Sequence, residues 1–382
     1  MWRREPFRLF FPLGTALAWV GVGHWVAYWA GWIGTYSCLA HGLVQTQGFL
    51  LAFATGFLLT AIPRRTAGEP PAAALVATTA LALCGVVVSA FAESWRVTEV
   101  LAVVVMTSLI GFAARRFVAS GGARRPPAAF VLVPIAILSG IGGAVLVAWG
   151  SSPYGDVFGL ALGRLLVEQG VFLGLVMGVG GLVLPLMSGA PPPDDLGSSP
   201  RETRRAIGFG CAGLALLATF VAESIGSERA APLARAFVVA ATLSLGAGTI
   251  WPPTLPGWNR RFAWIAVWLV PSGLALAGLL PDYRVPALHI TFIGGFGLLA
   301  FAVATHVTAS HLPVPVNVRD GRSVLVAIVG GTMLVAMLGR LTADAMHTYF
   351  EHLAAAALLF MAGSGVWVAW LGRYWAQRER AE

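Results

Sequence analysis

The side chains best suited to chemistry are seven histidines: His24, His41, His289, His306, His311, His347 and His352. A neutral imidazole ligates metals and haem iron. Two further pairs have the spacing of neighbours on a helix. Arg164 and Glu168 are spaced i,i+4, as are His347 and Glu351, and that spacing puts both members on one helix face. A histidine with a carboxylate so placed resembles a metal ligand with its supporting partner, or two ligands of one metal. Each pair serves equally well as a stabilising contact at a membrane interface. The cysteines are Cys38, Cys84 and Cys211, with no Cys-x-x-Cys pair. A disulfide framework, a zinc site and a c-type haem attachment therefore lack support. Cys38 precedes His41 by three and is a soft group of the kind that binds copper, although a lone buried thiol is the simpler reading.

The elements that position these residues are membrane helices. Of the 382 residues, 57% are hydrophobic and 11% charged, whereas soluble domains carry about 25% charge. This excludes a large soluble enzyme. The net charge of +8 would suggest nucleic acid in a soluble protein; in a membrane protein, basic residues collect in cytoplasmic loops, so no nucleic-acid partner is expected. Apolar runs of roughly 20 residues predict an all-α transmembrane bundle of twelve helices, over about 9–33, 39–62, 72–92, 97–117, 128–150, 161–187, 206–225, 231–250, 262–280, 285–308, 322–343 and 347–371. The basic N-terminus resembles a signal peptide, but its apolar run from Leu9 to Ile33 is too long for one and reads as the first span.

Arginine placement supports the count. Every basic residue is arginine, and 19 of the 25 fall at the termini or in alternate loops on their side; the other side holds Arg96, Arg164, Arg229, Arg235, Arg284 and Arg340. By the positive-inside rule both termini are cytoplasmic. One transmembrane domain covers 1–382, divided into six plus six helices by a polar segment at about 188–205, with no convincing repeat between the halves. This topology places His24, His41, His289, His347 and His352 in one outer band on four helices, with His306 and His311 at the cytoplasmic end of the tenth. Interfacial histidines often need no ligand. Five at one depth instead predict a shared metal or haem site, where two opposed imidazoles would hold a b-type haem. His352 points about 140° away from His347 on a helix, so the two are not expected to share a metal.

Three stretches resemble the NnrS family of bacterial inner-membrane proteins across nearly the whole chain. The first is His41, then Gly48-Phe49 and Gly56-Phe57-Leu58-Leu59-Thr60-Ala61-Ile62-Pro63. The second runs Gly163-Arg164-Leu165-Leu166-Val167-Glu168 to Gly178-Val179-Gly180-Gly181 and Pro185. The third is His289, Thr291, Gly294, Gly297, Thr305 and His311. The chain departs from the family pattern at Leu43, where a second histidine is usual, at His306, where arginine is usual, and at Arg64-Arg65 in place of Asn-Trp. The resemblance implies haem b and copper, a role in the response to nitric oxide and nitrosative stress, and nitric oxide or a related small ligand as partner. It does not identify an electron-transfer partner or a reaction. The layout is also similar to the catalytic subunit of haem-copper oxidases, which by analogy makes His41 and His289 the axial haem ligands.

His24, His347 and His352 are further candidate metal ligands, with Arg164, Glu168, Glu351 and His311 as supporting polar groups. Histidines are absent from helices six to eight, so an oxygen-reducing binuclear centre is not expected. The alternative reading is a twelve-helix secondary transporter of a small solute, suggested by the six-plus-six split. Against it, Glu168 and Glu351 are read as the embedded acids, both near the outer edge. The glycines of helices two, six and ten are expected to serve close helix packing.

Overall fold

A computed structural model describes residues 2–119, 125–152 and 154–377. Twelve helices in it are long and apolar enough to cross a membrane. They are α1 (Phe7–Trp29), α2 (Cys38–Thr66), α3 (Ala73–Phe91), α4 (Trp95–Ala119), α5 (Ala128–Gly150), α6 (Val157–Met187), α7 (Pro200–Ser224), α8 (Ala230–Ala247), α9 (Trp258–Leu279), α10 (Pro281–His311), α11 (Val316–Ala345) and α12 (Tyr349–Trp375). Every named element among the described residues is helical. The expected number and order of spans are observed. Arg124, Arg378 and Arg380, three of the 19 arginines expected on the cytoplasmic side, lie outside the described residues.

The helix ends differ from the apolar runs where local chemistry sets them. α7 begins at Pro200 because the Ser199 side chain accepts a hydrogen bond from the Glu202 N–H, and proline at the first helical position is preset for the helix. α1 ends at Trp29, short of Ile33, because Gly31 turns the chain at φ +72°. α12 starts at Tyr349. His347 therefore lies in the turn before it, and the helical spacing that would pair it with Glu351 does not apply.

Three helices form the centre. α2, α6 and α10 are 78%, 72% and 72% buried over their apolar windows, against 39–56% for the other nine. Each of the three contains a π-helical segment: Val44–Leu50, Leu166–Gly170 and Ile290–Gly297. Such segments widen the helix by one residue and concentrate at functional sites. The three helices are four spans apart, and α2 and α6 share a pattern. Gln47, Gly48, Gly56 and Pro63 recur as Gln169, Gly170, Gly178 and Pro185 at one constant offset. The three central helices are thus spaced at intervals of four spans.

Small residues let the inner helices approach their neighbours. A Cβ on Gly163 of α6 would lie 2.8 Å from the Gly143 carbonyl oxygen and 2.8 Å from the Val147 nitrogen of α5. Without a strong hydrophobic drive between helices in lipid, such close contact supplies much of the association energy. In the middle of the bundle Phe49, Phe53, Phe301, Phe360 and Trp367 pack as one aromatic layer, with ring centroids 4.8 Å apart for Phe301 and Trp367.

Candidate functional site

One end of the three inner helices opens into a cavity of about 710 Å³, within the range of small-molecule and cofactor sites. His41 of α2 and His289 of α10 both line it. Their ring centroids are 6.4 Å apart and their planes 18° from parallel. The His289 Nδ1 lies 2.7 Å from the Val285 carbonyl oxygen one turn earlier. The His41 Nδ1 lies 2.9 Å from the Gly21 carbonyl oxygen of α1. A carbonyl only accepts, so each Nδ1 carries the proton and each Nε2 keeps its lone pair, which is the ligand form of histidine. The Trp25 indole nitrogen also approaches the His41 Nδ1, at 3.2 Å, but two donors cannot share one proton-bearing nitrogen. The shorter Gly21 contact favours the form protonated at Nδ1.

Polar groups surround this pair. Arg164 Nε donates to Glu168 Oε1 at 3.1 Å, as the i,i+4 spacing predicts. Arg340 Nη1 donates to Asp344 Oδ2 at 2.6 Å, and Arg284 pairs with Glu223. Arg164, Arg284 and Arg340 line the cavity along with Glu168, Glu223, Gln45 and Gln169. Its remaining wall includes Val22, Phe49, Leu50, Phe292, Ile293, Leu353 and Phe360. The chamber is largely apolar, and each of the three arginines on its wall is paired with a carboxylate.

Behind the wall, Arg235 of α8 is fully buried. Its Nη2 donates to Glu223 Oε2 at 2.6 Å, its Nη1 to Gln169 Oε1 at 2.9 Å and its Nε to Thr219 Oγ1 at 3.1 Å. The guanidinium carbon sits 3.9 Å from the Phe220 ring centroid. This set compensates a charge that would otherwise cost several kcal/mol to bury.

The other predicted residues fall in three places. His24 is buried beside His41, with ring centroids 5.6 Å apart, but does not line the cavity; its Nδ1 lies 2.8 Å from the same Gly21 oxygen. His347 is exposed, and Glu351 is exposed. The His352 Nδ1 lies 3.0 Å from the Thr348 carbonyl oxygen, and neither His347 nor His352 reaches the cavity wall. His311 lies at the opposite end of the bundle, edge-on to Phe7 with centroids 5.4 Å apart. His41 and His289 are therefore the pair that the fold brings together.

Several groups at the site are not among those expected from the sequence. Glu99 and Glu223 also lie inside spans, so Glu168 and Glu351 are an incomplete set of embedded acids; Glu99 is 1% exposed. Arg235, Arg284 and Arg340 mark one membrane face in the sequence and prove to be part of the polar wall or the network behind it. Their signal was available in the rule that ionisable residues within spans face the protein interior. Among the described residues no group of three or more His, Cys, Asp or Glu side chains is gathered as a metal site.

The fold and cavity define a polytopic membrane protein with two neighbouring imidazoles at one end of a three-helix centre. The family model described as NnrS protein matches residues 1–378. The chain belongs to the NnrS family. Comparison with curated proteins gives no significant match.

Proposed function

We propose that this chain is a haem-binding protein of the bacterial inner membrane, with both termini cytoplasmic, that acts in the response to nitric oxide and nitrosative stress near the periplasmic face. The observation that carries the reading is the His41–His289 pair. Their centroids lie 6.4 Å apart on two helices that line one cavity, so both rings would be available to hold one group there. Both rings already hold the ligand tautomer, and the cavity between their helices has the volume and apolar lining for a b-type haem. The residues fit the group. Family membership supplies the link to nitric oxide.

Haem held by two imidazoles supplies one-electron redox chemistry. The protein's own residues do the rest. The Gly21 and Val285 carbonyls orient the two rings, and Phe49, Phe292 and Phe360 exclude water. Copper, the other metal implied by the family, would need donors beyond this pair. Cys38 is the soft side chain at the cavity wall.

The test is the optical spectrum of the full chain purified after expression with adequate haem supply. The reading predicts a Soret band that is lost or strongly altered in His41→Ala and in His289→Ala. No haem in the wild-type protein, or a band unchanged in both variants, would overturn it.

A further inference from the structure

Glu99 is a buried acid that the haem reading leaves unused. It lies one turn into α4 and is 1% exposed. Its Oε2 accepts a 2.7 Å hydrogen bond from Gln47 Nε2. Its Oε1 has no partner, and neither does the buried Oε1 of the same Gln47 amide. No cation reaches it among the ion pairs of the described residues.

The contrast with Arg235 is direct. Gln47 and Gln169 occupy matching places in α2 and α6, and each holds an ionisable group from the helix two spans further on. Gln169 holds Arg235, whose charge is balanced by Glu223 at 2.6 Å. Gln47 holds Glu99, which has no such balance. The helices flanking α4 add none: Ala73–Phe91 has no ionisable side chain except Cys84, and Ala128–Gly150 has none. From α2 comes the neutral amide of Gln47.

An ionised carboxylate here would be desolvated and uncompensated, a costly arrangement. It would also leave two buried acceptor oxygens without a donor. One proton on Glu99 removes the charge and supplies an O–H donor where donors are lacking. We propose that Glu99 is a proton site, held as the neutral carboxylic acid whose O–H is the donor that this buried pocket otherwise lacks. The proposal does not rest on the haem reading: it follows from the burial of Glu99 and the two unpartnered oxygens beside it.

Infrared spectroscopy of the full chain in lipid bilayers tests this. The wild-type protein at neutral pH is expected to show a deuterium-sensitive carboxylic-acid C=O band that is lost in Glu99→Gln and shifted to higher frequency in Gln47→Leu. Isotope-labelled glutamate in the unsubstituted protein shows whether such a glutamic-acid band exists even where a variant fails to fold. The measurement is made on haem-free and haem-loaded protein. A band in both that disappears in Glu99→Gln upholds the proton site whatever the fate of the haem reading. If Glu99→Gln removes a carboxylate band instead, or if labelled wild-type protein has no glutamic-acid band, the proposal is overturned.

Discussion

His24 and His41 address one carbonyl oxygen: the Nδ1 atoms lie 2.8 Å and 2.9 Å from the oxygen of Gly21. A carbonyl has two lone pairs, so both rings can donate to it. His24 thereby helps fix the oxygen that orients His41, while its own Nε2 is buried without a partner. This makes His24 a positioning residue. His24→Ala is expected to weaken haem binding by about 10–100-fold, the usual cost of losing a partner that supports a ligand. The spectrum of whatever haem remains should keep both axial imidazoles. A spectrum showing one imidazole lost would instead make His24 a ligand.

Arg235 and Glu223 form a pair whose two members should not be separable. Glu223→Gln leaves the buried guanidinium uncompensated and is expected to destabilise the protein by about 3–5 kcal/mol. Replacing both, as Glu223→Leu with Arg235→Met, should cost much less than the two single changes added together. Unfolding in lipid or detergent, followed by loss of helicity, measures all three. Additive single effects would show that the pair is not a unit. The Arg284 contact to the same carboxylate makes the Glu223 change the more severe of the two.

Helix packing gives a prediction independent of any ligand. A methyl on Gly163 meets backbone atoms of α5 at 2.8 Å, whereas one on Gly142 meets nothing within 4 Å. Gly163→Ala should therefore force α5 and α6 apart and cost about 1–3 kcal/mol. Gly142→Ala should be neutral or stabilising by up to about 1 kcal/mol, through helix propensity alone. The same unfolding assay compares them; equal effects would contradict the close α5–α6 approach.

The helices were legible because lipid demands length and apolarity, and both are written directly in the chain. The Arg164–Glu168 pair was legible for a related reason: spacing along one helix sets distance. The His41–His289 pair was reached by depth and by family likeness, since contact between α2 and α10 has no local signal. His347 lies outside the twelfth span rather than at its start, because the helix begins at Tyr349 and a boundary two residues away has no clear signal in the chain. Glu99 and Arg235 were hidden for a different reason. A charge near the end of an apolar run looks like part of a loop, and only packing shows that α4 and α8 turn these residues inward. The recurrence of the Gln-Gly, Gly and Pro pattern between α2 and α6 was present in the sequence, but a comparison of halves sets the wrong register to find it.

The central claim is that His41 and His289 hold one haem between them. The direct measurement is the spectrum of the purified chain, optical and electron paramagnetic, in the wild type and in single alanine variants of His41, His289, His347 and His352. The account predicts low-spin haem with two imidazoles in the wild type. That signature should be lost in His41→Ala and His289→Ala, and unchanged in His347→Ala and His352→Ala, whose side chains lie off the cavity wall. Haem that persists unaltered without His41 and without His289, or that depends instead on His347 or His352, would contradict it.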